Sequence, residues 1–503
     1  MFMKSIIFLL LFILFISQSC KDKQATEVKN NFNSFIAQNN EAVSYGKVSL
    51  GDLLKKSDLE SLPSFGEIIK KQFESLKVSI GVDQPIYFAL DGPLNRDGMP
   101  KRSYFFFQIN NKDSVEAMFS EMGYFFEEEE NIFYAEDATL ALGFNNDMAI
   151  MVTGGYDDDL KELTYNAFRE ASNKDVNERI AKVLDLSGDI LIASHIENLY
   201  NTGNTDLNSL PEDQQKLLKE MAANAHYATT IDFRNGEMAI DGNAYFDEAL
   251  QKAMVFKDMG DFDPLKEMNV EQPLMAFYAN IDVTKMEQLM EQFYPDPVKE
   301  LYKSMGTTGL ILKGLGGEGI NALVNGQMAL ALEAAPVDFN FKGELPPNMT
   351  FYAGVGAASS SIVDVLVDFA DAGEIQRVEK GVFKYNGMEA KLSGKSLLVR
   401  TTAEDDTPKI MGRKELPKGC EGFGVKPMAF YLDLKALFAA DIDIRSNDLK
   451  SILELLDFVY MEADNTGSKV KIMLKDDSKN VLKAIVDALR NDLEEIISSG
   501  IPV

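Results

Sequence analysis

The sequence predicts an α+β protein made of two tandem duplicated halves, each of three strand–helix–strand units forming mainly antiparallel sheets with helices packed on one face. Three observations predict it. First, a start signal recurs: Pro273-Leu274-Met275-Ala276-Phe277-Tyr278 comes back as Pro427-Met428-Ala429-Phe430-Tyr431, and more loosely as Pro347-Asn348-Met349-Thr350-Phe351-Tyr352. In each, a proline that costs no ladder hydrogen bond opens an aromatic-rich run with strand chemistry. Second, matching signals in the two halves are separated by a nearly constant interval, roughly 230–245 residues, the mark of a repeated supersecondary unit. Third, hairpin turns outnumber parallel crossovers, which favours antiparallel sheets.

A length of 503 residues with 46% hydrophobic composition allows at least two cores. The expected divisions are a signal peptide over 1–19, a lipidated cysteine and polar tether over 20–40, and halves over 41–262 and 263–503. The run Ile6–Ile16 is about 11 residues long, against the roughly 20 that span a bilayer, so it reads as a signal-peptide core. Ser17-Gln18-Ser19-Cys20 resembles a bacterial lipobox, with Ser17 in place of the usual leucine. That resemblance implies acyl chains on Cys20, each CH₂ contributing about 0.8 kcal/mol of burial in lipid. Cys20 is thus the expected lipid-attachment residue, and the membrane the expected partner.

The folded chain begins near Val43–Val48, with a second strand at Pro85–Leu90. The next unit opens at Tyr104–Ile109, followed by a helix whose Asp113-Ser114-Val115-Glu116 has capping-box spacing. Strands Thr139–Phe144 and Met148–Thr153 flank the turn Asn145-Asn146-Asp147. The third unit opens at Asp189–Ala193, continues in a helix starting around Ser209-Leu210-Pro211-Glu212, and ends in a hairpin at Asn235-Gly236, a pair suited to the positive φ angles of a tight turn. The second half repeats the plan through Met275–Tyr278, Met349–Tyr352, Phe383–Thr401 (turn at Ser393-Gly394), Met428–Tyr431 and Asn465-Thr466-Gly467. Asp282 and Asp433 stand where helix N-caps belong.

This layout resembles a family of lipoproteins of unknown function, common in bacteria of the Bacteroides–Flavobacterium group. Gly51–Leu59 running on to Ser79–Phe88, and Ile320–Leu330, carry the likeness. The resemblance implies the two-half architecture and supplies no catalytic residue. In that group, acidic residues just after the lipidated cysteine resemble a surface-export signal; Cys20-Lys21-Asp22-Lys23-Gln24 has a single one, so the periplasmic and surface faces of the outer membrane both stay open.

Composition excludes several functions. Seventy-nine carboxylates against fifty basic side chains repel phosphate backbones, so no nucleic-acid partner is expected. Cys20 and Cys420 are the only cysteines, which leaves no disulfide framework and no cysteine metal site; Cys420 reads as a small-core or loop thiol. Gly314-Leu315-Gly316-Gly317-Glu318-Gly319 satisfies a dinucleotide fingerprint by spelling, but the helix after it, Ile320–Val324, is too short to hold a pyrophosphate. His195 and His226 lack metal or triad spacing and read as strand-end and helix-end residues, the second favoured by a helix dipole. Glu127–Glu130, Asp157–Asp159 and Asp441-Ile442-Asp443 read as solvated acidic surface, and Tyr104–Phe107 as core. No catalytic, cofactor-binding or metal residue is assigned, and no cofactor is expected.

The resulting expectation is a lipid-anchored cell-envelope protein, a non-catalytic binding or scaffolding module with a protein or small-ligand partner. The alternatives are a hydrolase using paired carboxylates in a cleft between the halves, and a small-ligand receptor.

Overall fold

The structure, a computed structural model, describes residues 24–63, 66–95, 99–121, 123–173, 175–201, 211–293, 324–336, 348–356, 367, 373, 375–385, 387–401, 409–439 and 447–490. It is mixed α and β with antiparallel sheet pairing, as the sequence predicts. Two compact units are present: the described residues of Met1–Phe233, Ala244–Asp247 and Asn480–Val503 in the first, and of Arg234–Asn243 and Glu248–Lys479 in the second.

In the first unit the described chain starts in helix α1 (24–38), then β1 (Ala42–Val48), α2 (Leu50–Ser57), α3 (Gly66–Ser79), β2 (Ile86–Asp91), β3 (Arg102–Gln108) and α4 (Lys112–Glu121). It continues through β4 (Glu127–Glu129), β5 (Ile132–Glu136), β6 (Leu140–Phe144), β7 (Met148–Thr153), α5 (Leu160–Ser172), α6 (Glu178–Leu184), β8 (Ile190–His195), α7 (Ile196–Asn201), α8 (Glu212–Ala222) and β9 (His226–Phe233). Antiparallel neighbours give the order β9-β8-β1-β2-β3-β7-β6-β5-β4.

Residues 24–38 are not the polar tether expected over 20–40. Val28, Phe32, Phe35 and Ile36 are buried in one cluster with Tyr45, Tyr87, Tyr104 and Phe106. Their spacing is a helical stripe, which converts a polar segment into a core element. Both sheet faces of this unit carry helices, where a single covered face was expected. α1, α5 and α6 cover the Tyr45 face, and α3 and α4 cover the other, through Phe73 and Val115 against Phe107, Phe144 and Ala149. The cause is visible in Tyr104-Phe105-Phe106-Phe107, a strand apolar on both sides that needs cover on both.

The second unit contains β10 (Glu237–Tyr245) over residues 237–243, α9 (Glu248–Lys252), α10 (Pro264–Met268), β11 (Met275–Asn280), α11 (Val283–Phe293), β12 (Val324–Leu332), β13 (Ala334–Pro336) and β14 (Met349–Val355). β15 (Gln376–Glu379), β16 (Val382–Tyr385), β17 (Met388–Leu392), β18 (Ser396–Thr401), β19 (Lys409–Met411), β20 (Met428–Leu432), α12 (Leu434–Ala439), α13 (Asn447–Leu453), β21 (Leu456–Asp464) and β22 (Gly467–Leu474) follow. Its order is β10-β22-β21-β20-β11-β12-β14-β18-β17-β16-β15, with β13 and β19 pairing apart. Beyond it, α14 (Val481–Ala488) belongs to the first unit, where Lys483 pairs with Asp58 after α2.

Local signals explain many boundaries. Gly236 has φ +73°, and the Arg234 amide donates to the Glu237 carbonyl across the Asn235-Gly236 turn at 2.9 Å. The Asp282 and Asp433 carboxylates accept from the amides three residues on, at 3.1 and 2.9 Å, as N-caps. The cap of α4 is Asn111, which accepts from Ser114 at 2.9 Å, rather than Asp113. The glycine run 314–319, residues 441–443 and Cys20 lie outside the described residues.

Candidate functional site

Two alternating rows lie at the heart of the sheets. Tyr45 stands opposite Ala193 on one side and Ala89 on the other, and Ala89 stands opposite Tyr104. Tyr278 stands opposite Ala429 and Ala329, and Ala329 opposite Tyr352. All eight side chains are buried. A ring flanked by methyl groups on both neighbouring strands alternates large and small side chains across three strands.

Polar groups beside these rows are held by specific partners. The Tyr45 hydroxyl lies 3.0 Å from Nδ1 of His226. His226 stacks on His195 with ring centroids 4.6 Å apart. Burial, then the His195 and Arg179 charges, push His226 down to about 3, so it is neutral at physiological pH. His226 opens strand β9 rather than closing a helix, so the dipole argument for a charged imidazole does not apply; His195 ends β8 as expected.

Lys56 on α2 reaches both Asp189 oxygens at 2.7 Å and Asp232 at 2.9 Å, while Asp189 also accepts from the Phe233 amide at 2.7 Å. In the second unit Arg413 donates to Asp433 at 2.9 Å and to Asp457 at 2.6 Å. Asp433 therefore caps a helix and anchors a guanidinium, and its side chain is fully buried only because both roles neutralise it. The Tyr278 hydroxyl accepts from the Gly424 amide at 2.7 Å and donates to the Lys426 carbonyl at 2.8 Å, pinning the segment 418–426 onto the sheet. Cys420 is buried in that segment, and burial pushes its thiol up to about 12, far from a nucleophilic thiolate.

The carboxylates closest in character to an acid–base pair are Asp91 and Glu170. Burial raises both, Asp91 to about 6, and the Asp91 charge raises Glu170 further. Asp91 is 2% exposed and accepts from Asn39 Nδ2 at 2.8 Å, so a substrate meets it only if its neighbours move.

The acidic runs separate by role. Glu127, Glu128 and Glu129 are exposed on β4, with Glu129 paired to Lys161 at 2.9 Å. Asp159 caps α5, and Asp158 binds Arg102 at 2.7 Å. Tyr104 and Phe106 are core. Among the described residues, no three His, Cys, Asp or Glu side chains converge as a metal cage, and no helix is long and apolar enough to cross a membrane.

The opposite face of the second sheet carries an apolar row that crosses six strands: Met461, Phe430, Phe277, Leu330, Phe351 and Val399, each paired with the next. Phe351 is 37% exposed and the others are half-buried. Sequence reasoning did not find this row, since its members come from strands far apart in the chain. The alternation Met275/Phe277 against Ala276/Tyr278 was the available signal.

No protein-family model matches the chain, and no curated protein matches it. Among solved structures, crystal forms III and I of TP0453 are similar at 12% and 14% identity, each covering 42% of this chain and 80% of that chain, with TM-scores of 0.26 and 0.24.

Proposed function

We propose that this is a lipid-anchored protein of the cell envelope, held through Cys20 at the outer membrane, and that it works without catalysis as a binding or scaffolding module for a protein partner. The observation that carries the partner is the row Met461-Phe430-Phe277-Leu330-Phe351. A partly exposed apolar band fits a protein surface better than a small ligand, which prefers an enclosed site.

Tandem duplication over 41–262 and 263–503 belongs to the same proposal. Its support is that β9-β8-β1-β2-β3-β7-β6-β5-β4 and β21-β20-β11-β12-β14-β18-β17-β16-β15 follow the same order, strand for strand in chain sequence. The row Ala193-Tyr45-Ala89-Tyr104 also has the register of Ala429-Tyr278-Ala329-Tyr352. The likeness to uncharacterised two-half lipoproteins is part of this reading.

Affinity purification of the detergent-solubilised lipidated protein tests it, comparing the natural sequence with Phe351→Glu. A partner retained by the first and lost from the second is the expected outcome. Identical retained proteins in both, or thermal stabilisation by a metabolite with no protein retained, would overturn the assignment. The hydrolase alternative rests on Asp91 and Glu170; turnover of a substrate that Asp91→Asn abolishes would favour it.

A further inference from the structure

The first unit has two distinct ends. β3 and β7 run antiparallel, with Gln108 opposite Met148 at one end and Ser103 opposite Thr153 at the other. α1 starts at the first of these ends, where Gln24 bonds both Gln108 and Asp147 at 3.3 Å. It finishes at the second, where Asn39 bonds Asp91. Phe32, Phe35 and Ile36 bury α1 along the way, so its start is fixed to the sheet.

Cys20 precedes Gln24 by so few residues that even a fully extended chain reaches only about 14 Å. We infer that the end of the first sheet formed by the turns at Ser79–Gln84, Ile109–Lys112 and Asn145–Asp147 faces the bilayer, and that the end bearing Met99 and Tyr156 points away from it. The inference rests on the proposed lipidation of Cys20.

Each end carries an exposed position for a reporter: Asn146 at the near end, and Tyr156, 84% exposed, at the far end.

A seven-residue strand such as β3 separates the ends by about 20 Å, a distance energy transfer resolves. The chain contains no tryptophan, so Asn146→Trp and Tyr156→Trp each install a single reporter at an exposed turn. The lipidated variants are placed in phosphatidylcholine vesicles containing a dansyl phospholipid. Transfer several-fold stronger from position 146 than from position 156 is expected. Equal or reversed transfer overturns the orientation.

A second arm separates this from the anchoring reading. Protein beginning at Cys20 is coupled through that thiol to a maleimide lipid; buried Cys420 does not compete. Asymmetric transfer in the coupled protein, with none from the cell-derived protein, sustains the orientation imposed by a tether at residue 20 and refutes natural lipidation. Symmetric or reversed transfer in the coupled protein refutes the orientation itself.

Discussion

The Tyr45 hydroxyl and Nδ1 of His226 lie 3.0 Å apart inside the first unit, joining β1 to β9 across β8. This contact fixes a neutral imidazole in the core. Its folded value of about 3 lies below the ordinary 6.5, so the unfolded chain takes up the proton first. The stability it contributes is complete above pH 6.5 and is lost as pH falls from there toward 3. His226→Leu is expected to flatten that slope in urea denaturation series, while costing stability at neutral pH through loss of the Tyr45 partner. An unchanged slope would show that acid sensitivity arises elsewhere.

Asp91 acts with the opposite sign. Burial raises it from 3.8 to about 6, so its stability contribution is complete below pH 3.8 and is lost as pH rises through 6. Asp91→Asn, which holds no charge, is expected to gain up to about 3 kcal/mol over the natural protein at neutral pH and to show no difference near pH 3. A loss of stability at neutral pH would mean that the ionised carboxylate is required by Asn39.

Arg413 is the tie whose removal should cost most in the second unit. Arg413→Met leaves the buried Asp433 and the partly buried Asp457 without their cation, a loss of about 3–5 kcal/mol. Arg413→Lys is expected to recover only part of it, because an ammonium cannot fork between two carboxylates. Chemical denaturation of both variants checks the ranking.

The paired rows predict paired consequences. Ala89→Leu and Ala329→Leu each force a branched side chain beside a buried tyrosine, and about 1–3 kcal/mol of destabilisation is expected in both. A severe effect in one and none in the other would count against equivalent roles for the two rows.

Phe32→Ala tests whether α1 belongs to the core. Its ring lies 5.2 Å from that of Phe106 and 5.3 Å from that of Tyr87, so truncation is expected to cost about 3–5 kcal/mol in thermal or urea unfolding. A polar tether would show no change.

Strand positions were the legible part of the fold. Runs such as Tyr104–Ile109 and Met148–Thr153, and the Asn235-Gly236 turn, carry their geometry locally and fall within a residue or two of the strands observed. α1 was not legible because four buried side chains in a polar segment look like a tether until the sheet that receives them is known. The same limit hides Arg413, whose two carboxylates lie 20 and 44 residues away in the chain. It hides the Met461–Phe351 row as well, since register across strands is set by neighbours and not by composition.

The exposed glutamates of β4 have a consequence for crowding. This short strand pairs with β5 and, among the described residues, its other flank is an outer border of the first unit's sheet. Were two copies to meet along that border, runs of carboxylates would be forced side by side, and mutual repulsion would part them before backbone groups could join. Densely packed copies are thereby kept from stitching together along it.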